Sequence, residues 1–165
     1  MITLILGGAR SGKSAVAESL ARQSPGPVTY VATGVVGDDA DFAVRVAEHR
    51  ARRPADWATI ECGAALLDAL GRAPGTVLVD SLGTWLAGQR DFAVDADALL
   101  DAFEAHAGDV VVVSDEVGLG VHPATEVGRE FRDALGRLNR AVAARANAVW
   151  LVVAGCVLVV KGDAR

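Results

Sequence analysis

Short apolar runs alternate along the chain with stretches whose apolar residues recur every three to four positions. The first run is Ile2-Thr3-Leu4-Ile5-Leu6, read as a buried strand, and a helix is predicted over 15–22. A second strand is predicted over 27–33, led by Pro27 and rich in β-branched residues. Residues 38–52 read as a helix, with Phe42, Val46 and His49 at i, i+4, i+7 spacing, ended by Pro54. A short strand follows over 57–61, then a helix over 64–70 closed by Gly71 and Pro74. The runs 76–80 and 109–116 both end in acids, Asp80 and Asp115-Glu116, and a helix over 95–107 separates them. A long helix is predicted over 126–146, with Val127, Phe131, Leu135, Leu138 and Val142 on its apolar face. Segments 147–154 and 156–161 read as a strand pair with Gly155 at the turn, so the last strand pairs antiparallel.

Apolar strands alternating with helices imply an α/β fold: a mostly parallel sheet covered on both faces. Ligands of such sheets bind beyond the C-terminal strand ends. The connections after Leu6, Thr33, Asp80 and Val113 are therefore expected to converge on one side.

At 165 residues the chain is expected to form one nucleotide-binding domain over 1–165. A net charge of −5 argues against a general nucleic-acid binder. Cys62 and Cys156 are far apart and form no C-x-x-C pair, so both read as reduced thiols rather than metal ligands or a redox pair. The first apolar run lacks a basic leader and is too short for a signal peptide. No stretch approaches the roughly 18 apolar residues of a membrane span, and residues 146–161 are broken by Gly155. A cytoplasmic protein is the expectation.

The chemistry concentrates first in Gly7-Gly8-Ala9-Arg10-Ser11-Gly12-Lys13-Ser14, which fits the phosphate-loop pattern G-x-x-x-x-G-K-[ST]. A strand precedes it and a helix follows, the context in which the pattern has a mechanism. Glycines let backbone N–H groups close around phosphate oxygens, and the helix N-terminus adds a positive dipole end. Lys13 would pair with the β- and γ-phosphates, and the Ser14 hydroxyl would ligate Mg²⁺. Asp80, at the end of an apolar run, suits the metal-side acid. The Asp115-Glu116 pair occupies an equivalent place on another strand, and either site suits a metal acid or a general base.

A second concentration is Arg45-Val46-Ala47-Glu48-His49-Arg50-Ala51-Arg52-Arg53-Pro54. Arg45, His49 and Arg52 share one helical face. A neutral imidazole is a competent nucleophile toward phosphorus, and neighbouring arginines bind phosphate and favour the neutral ring. The same run also suits a solvated basic helix face. His106 reads as a carbonyl cap, His122 as a loop residue near Glu116, and Trp57, Trp85, Trp150 and Tyr30 as core or interface.

Taken together, these segments resemble the bifunctional adenosylcobinamide kinase / adenosylcobinamide-phosphate guanylyltransferase family of cobalamin biosynthesis. The matching pieces are GGARSGKS at 7–14, YVAT at 30–33, RVAEHRARRP at 45–54 with Trp57, Thr59 and Glu61, VLVDSLGTW at 77–85, SDEVGLGVHP at 114–123, Phe131-Arg132-Asp133 with Gly136 and Asn139, and the tail 149–161. They keep order and spacing over nearly the whole chain. The resemblance implies a three-layer phosphate-loop fold of the RecA type, and a homotrimer with sites near subunit boundaries. It implies two reactions. A nucleoside triphosphate, ATP or GTP, phosphorylates the aminopropanol hydroxyl of adenosylcobinamide. GTP then guanylylates a histidine, and the GMP passes to adenosylcobinamide phosphate to give adenosylcobinamide-GDP. The nucleophilic histidine falls on His49. Nucleotide contacts fall on residues 7–14, on Ala32, Thr33 and Gly34, on Arg50, Ala51, Arg52 and Arg53, on Glu61 and on Asp80.

The chain departs from the family's pattern in four places. Asp115 stands where Asn is usual, Asp41-Phe42 where Glu-Met is frequent, Arg140 where Gln follows Asn139, and Gly34 where a bulkier residue is frequent. The competing reading is a simple phosphate-loop small-molecule kinase without a covalent nucleotidyl intermediate. A nucleotide-sensing switch is a third reading.

Overall fold

A computed structural model of the chain describes residues 1–34, 50 and 53–163. The helix expected over 38–52, with Arg45, His49, Ala51 and Arg52, lies outside the described residues except for Arg50.

Among the described residues, seven strands form one sheet: β1 (Ile2–Gly7), β2 (Val28–Ala32), β3 (Ala58–Glu61), β4 (Thr76–Asp80), β5 (Val110–Asp115), β6 (Ala148–Val153) and β7 (Cys156–Lys161). Their spatial order is β3-β2-β4-β5-β1-β6-β7. Every pairing is parallel except β6 with β7, as the sequence predicts. The helices are α1 (Lys13–Gln23), α2 (Leu66–Arg72), α3 (Leu82–Ala87), α4 (Ala96–Ala105) and α5 (Glu126–Arg145), with a 3-10 turn at Arg90–Phe92.

The central strands are apolar at consecutive positions because both sheet faces are covered. Ile5, Leu78, Val111 and Val113 face α1, packing with Ala17, Leu20, Ala21, Tyr30 and Trp150. Leu4, Val77, Val79 and Val112 face the opposite layer, against Leu66 of α2, Leu82 of α3, Leu99 and Phe103 of α4, and Leu135 and Leu138 of α5. This is the three-layer α/β arrangement that the alternating runs imply.

Some boundaries move. Helix α2 runs through Gly71 to Arg72, and β5 ends at Asp115, leaving Glu116 in the connection. Helix α3 has no counterpart in the periodicity. It is six residues long, and its start is fixed by Ser81, whose side chain accepts the N–H of Thr84. His106 follows α4 and contacts the carbonyl of Gly75 at 2.8 Å, just before β4, rather than a carbonyl of its own helix. The β6–β7 turn is made by Ala154 and Gly155, both at positive φ (52° and 80°), the geometry of a tight hairpin that matches strand twist. Among the described residues, no helix is long and apolar enough to cross a membrane.

Candidate active site

All the parallel strands deliver their C-terminal ends to one edge. Register fixes the neighbours there: Gly7 stands opposite Asp115 and Val152, and Ala32 opposite both Asp80 and Glu61. Phosphate loop, Asp80, Asp115 and Glu61 thus share one side of the sheet, as expected for a ligand edge.

The loop leaves β1 at Gly7, where only a glycine fits: a Cβ would sit 2.4 Å from Ser11 Oγ and 2.8 Å from the carbonyl of Val152. It then turns through positive φ at Arg10 (57°) and Gly12 (93°). The turn of the C-terminal hairpin braces it, the N–H of Gly155 donating to the carbonyl of Ser11 at 2.8 Å. Helix α1 starts at Lys13 with Gly12 as its cap residue and no side-chain cap bond. The Lys13 N–H has only a long contact of 3.4 Å to Ser11 Oγ, so the first turn of the helix keeps amides directed at the loop, which is how a helix N-terminus receives an anion.

Lys13 contacts the carboxylate of Asp115 at 2.8 Å and donates to the carbonyl of Gly8 at 3.2 Å. The second Asp115 oxygen faces Ser81, whose hydroxyl lies 3.5 Å away and 3.0 Å from the Thr84 hydroxyl. Asn139, a buried polar residue in the middle of α5, clamps the end of β5. It accepts from the Ser114 hydroxyl at 2.6 Å and donates to the Asp115 carbonyl at 3.0 Å.

Asp80 is organised separately. Its carboxylate accepts the hydroxyl of buried Tyr30 at 2.7 Å, and the Arg53 guanidinium lies 3.5 Å from the centre of the Tyr30 ring. Burial holds the Tyr30 phenol well above its ordinary range; the charge and hydrogen bond of Asp80 push it the same way, and Arg53 opposes them. Thr33 staples the corner that follows. Its hydroxyl donates to the Ser81 carbonyl at 2.8 Å and accepts the Ser81 N–H at 2.9 Å. Arg50 forms an ion pair and hydrogen bond with Glu61 at the exposed end of β3. Glu116 sits at the loop's flank, its N–H donating to the Gly7 carbonyl at 3.0 Å and its carboxylate accepting the Gly118 N–H at 2.7 Å.

Residues 7–14, Ala32, Thr33, Gly34, Glu61, Asp80 and Glu116 thus gather at one edge, with Arg50 tied to Glu61 and Arg53 to Tyr30. His49, Ala51 and Arg52 lie outside the described residues. Sequence reasoning gave no role at this edge to three residues that hold it in shape: Tyr30, read as core or interface, and Ser81 and Asn139, met only within the pieces that match the family. Asn139 was detectable as a polar residue one turn from Leu135 on an apolar stripe.

The carboxylates here are hard oxygen donors, and with the Ser14 hydroxyl they suit a Mg²⁺ ion. Among the described residues no group of three or more His, Cys, Asp or Glu side chains forms a metal cage.

Known proteins resemble this chain over almost its whole length. The protein is 42% identical over 172 residues to the bifunctional adenosylcobalamin biosynthesis protein CobP of Pseudomonas aeruginosa, covering 99% of each chain. It is 38% identical over 183 residues to the bifunctional adenosylcobalamin biosynthesis protein CobU of Salmonella typhimurium, covering 98% of this chain and 100% of that one. The crystal structure of the flagellar accessory protein FlaH from Methanocaldococcus jannaschii superposes with a TM-score of 0.57, over 98% of this chain and 78% of that one, at 13% identity. That likeness concerns the three-layer phosphate-loop fold alone. The description "Cobinamide kinase / cobinamide phosphate guanyltransferase" matches residues 3–160, nearly the whole sheet and every element that builds the edge. With two relatives matched end to end, the chain belongs to the cobinamide kinase / cobinamide phosphate guanyltransferase family.

Proposed function

We propose that this chain, as one nucleotide-binding domain, phosphorylates adenosylcobinamide and then transfers GMP from GTP to adenosylcobinamide phosphate through a guanylylated His49. The observation that carries the reading is the uncapped start of α1 at Gly12–Lys13, set in a braced phosphate loop within a chain of this family.

In the kinase step the substrate hydroxyl oxygen attacks the γ-phosphorus of ATP or GTP. The new O–P bond forms as the bond to the nucleoside diphosphate breaks, and the hydroxyl proton leaves to a base or water. The amides of residues 7–14 grip the phosphates, and Lys13 offsets charge on the β- and γ-oxygens. In the transfer step an imidazole nitrogen of His49 attacks the α-phosphorus, a P–N bond forms and pyrophosphate leaves. A phosphate oxygen of adenosylcobinamide phosphate then attacks the same phosphorus, breaks the P–N bond and restores the histidine. Arg50, Arg52 and Arg53 supply positive charge for the transferring nucleotide, with Ala32, Thr33, Gly34 and Glu61 lining its path. Mg²⁺, held by Ser14 and Asp80 with Glu116 nearby, would neutralise phosphate charge when bound.

The proposal extends to assembly and place. Strand β7 is a sheet edge with exposed Val157, Leu158, Val159 and Val160. An unpaired apolar edge invites another chain, which supports a homotrimer. Free Cys62 and Cys156 suit the reducing cytoplasm.

The test is incubation with GTP labelled at the α-phosphate. Acid-labile label is expected on the wild-type chain and none on His49→Ala. Kinase turnover without any covalent label would overturn the guanylylated histidine and leave the simple phosphate-loop kinase.

A further inference from the structure

We propose that Asp115 is the resting counter-ion of the phosphate-loop lysine, so that nucleotide binding is an exchange in which phosphate oxygens displace the Asp115 carboxylate from Lys13. This rests on the reading of residues 7–14 as the nucleotide grip, and adds to it the residue that sets the lysine's affinity.

The pair is built, not incidental. Its contact is 2.8 Å, with side-chain exposures of 11% for Lys13 and 31% for Asp115. The backbone under Asp115 is fixed from two sides: Asn139 of α5 holds Ser114 and the Asp115 carbonyl, and the next N–H, that of Glu116, binds Gly7 at the mouth of the loop. The carboxylate itself lies close against the start of α3. A Cβ on Gly83 would lie 2.3 Å from Asp115 Oδ2, so only glycine at the start of α3 lets this oxygen sit where it does, beside the Ser81 hydroxyl.

The consequence is electrostatic. A lysine ammonium is a compact charge with three donors. In the free protein it serves Asp115 and the Gly8 carbonyl. A β- or γ-phosphate arriving at Lys13 brings negative charge against a carboxylate that already contacts the ammonium and whose backbone is fixed from two sides. The lysine must exchange one anion for the other, or hold both at the cost of their repulsion. Either way, Asp115 lowers affinity for ligands whose phosphates reach Lys13 and leaves others untouched. Asp115→Asn keeps the shape against Gly83 and an acceptor for Ser81, and removes the charge.

The experiment is calorimetric titration of the full chain with GTP, GDP and GMP in EDTA, which keeps divalent cations out. Asp115→Asn is expected to tighten GTP and GDP by about ten- to a hundredfold, the size of one charged hydrogen bond, with GMP unchanged. Added salt should shrink the gain, since screening weakens the pair that is removed. Asp115→Ser, which deletes the same charge with a smaller side chain, must move GTP in the same direction. Thermal unfolding of each variant reports whether the fold is kept. Unchanged or weaker GTP binding by a folded Asp115→Asn overturns the exchange, and so does an equal gain for GMP. Lys13→Ala separates the two readings: if it binds GTP as the wild type does, the grip itself is wrong, whereas ordinary lysine-dependent binding that ignores Asp115 refutes the exchange alone.

Discussion

Tyr30 offers a sharp test because it is the single tyrosine of the chain. It is 2% exposed and donates its hydroxyl to the Asp80 carboxylate at 2.7 Å. Ionising it in the folded state would place a phenolate, already desolvated, against a carboxylate, and the folded phenol is held far above the ordinary value of 10.0. The unfolded chain has no such restraint. Above that ordinary value the unfolded state sheds a proton that the native state keeps, so the native state binds more protons and stability falls as pH rises. The contribution is fully present below the unfolded value and is lost progressively above it. One pH unit beyond, RT ln 11 gives a loss of about 1.4 kcal/mol from this residue. The tyrosinate absorbance near 295 nm reads one group only, since the three tryptophans do not titrate. We expect it to stay silent in the folded protein at about pH 11 and to appear only as the protein unfolds. Tyr30→Phe should abolish this slope while keeping the ring under Arg53. At neutral pH the variant should lose about 1.5–3 kcal/mol, the value of a hydrogen bond to a charged group. For a chain of this size that is a fall in Tm of roughly 3–12 °C. A tyrosinate signal near pH 10 in protein whose circular dichroism is still native would refute the argument, as would a Tyr30→Phe variant with unchanged Tm.

Two further predictions concern the supports of the site and the sheet edge. Asn139→Ala deletes two buried hydrogen bonds, to the Ser114 hydroxyl and the Asp115 carbonyl, and should cost about 2–4 kcal/mol in denaturant unfolding; a loss below about 0.5 kcal/mol, the level of an ordinary surface change, would mean the clamp is idle. A double variant with Leu158→Lys and Val160→Lys places charge on the exposed β7 edge and should convert a trimer to monomers by light scattering. A monomeric wild type would remove the trimer proposal outright.

What could be read from the sequence was what is local. Residues 7–14 declare a phosphate loop because glycines at fixed spacing, a strand before and a helix after are all contiguous. Consecutive apolar residues in 76–80 and 109–116 declare buried strands because both sheet faces exclude water. The antiparallel hairpin at Gly155 follows from a turn too short for a crossover. Helix α3 escaped because six residues set no periodicity, and its cap, Ser81, reads in sequence as one more polar residue after a strand. The clamp made by Asn139 escaped for the opposite reason: the helix around it is long and regular, and a stripe of Leu135, Leu138 and Val142 draws attention away from the polar residue between them.

The ordering of the two acids shows where local reading stops. Asp80 and Asp115 both end apolar strands, and nothing within either segment says which stands beside the lysine. Strand order decides it. Because β5 inserts between β1 and β4, Asp115 falls opposite Gly7 in register and meets Lys13, while Asp80 pairs in register with Val113, two residues further back along β5. Asp80 is thereby set deeper, where Tyr30 can reach it from β2, and Asp115 stands forward at the loop. The same crossover brings Asn139 of α5 under the end of β5, since α5 packs on the face that β5 shares with β1. One topological choice therefore gives the two carboxylates different partners, a phenol for one and an ammonium for the other. This difference in partners supports the proposals that Asp80 is the metal-side acid and that Asp115 is the group a phosphate displaces.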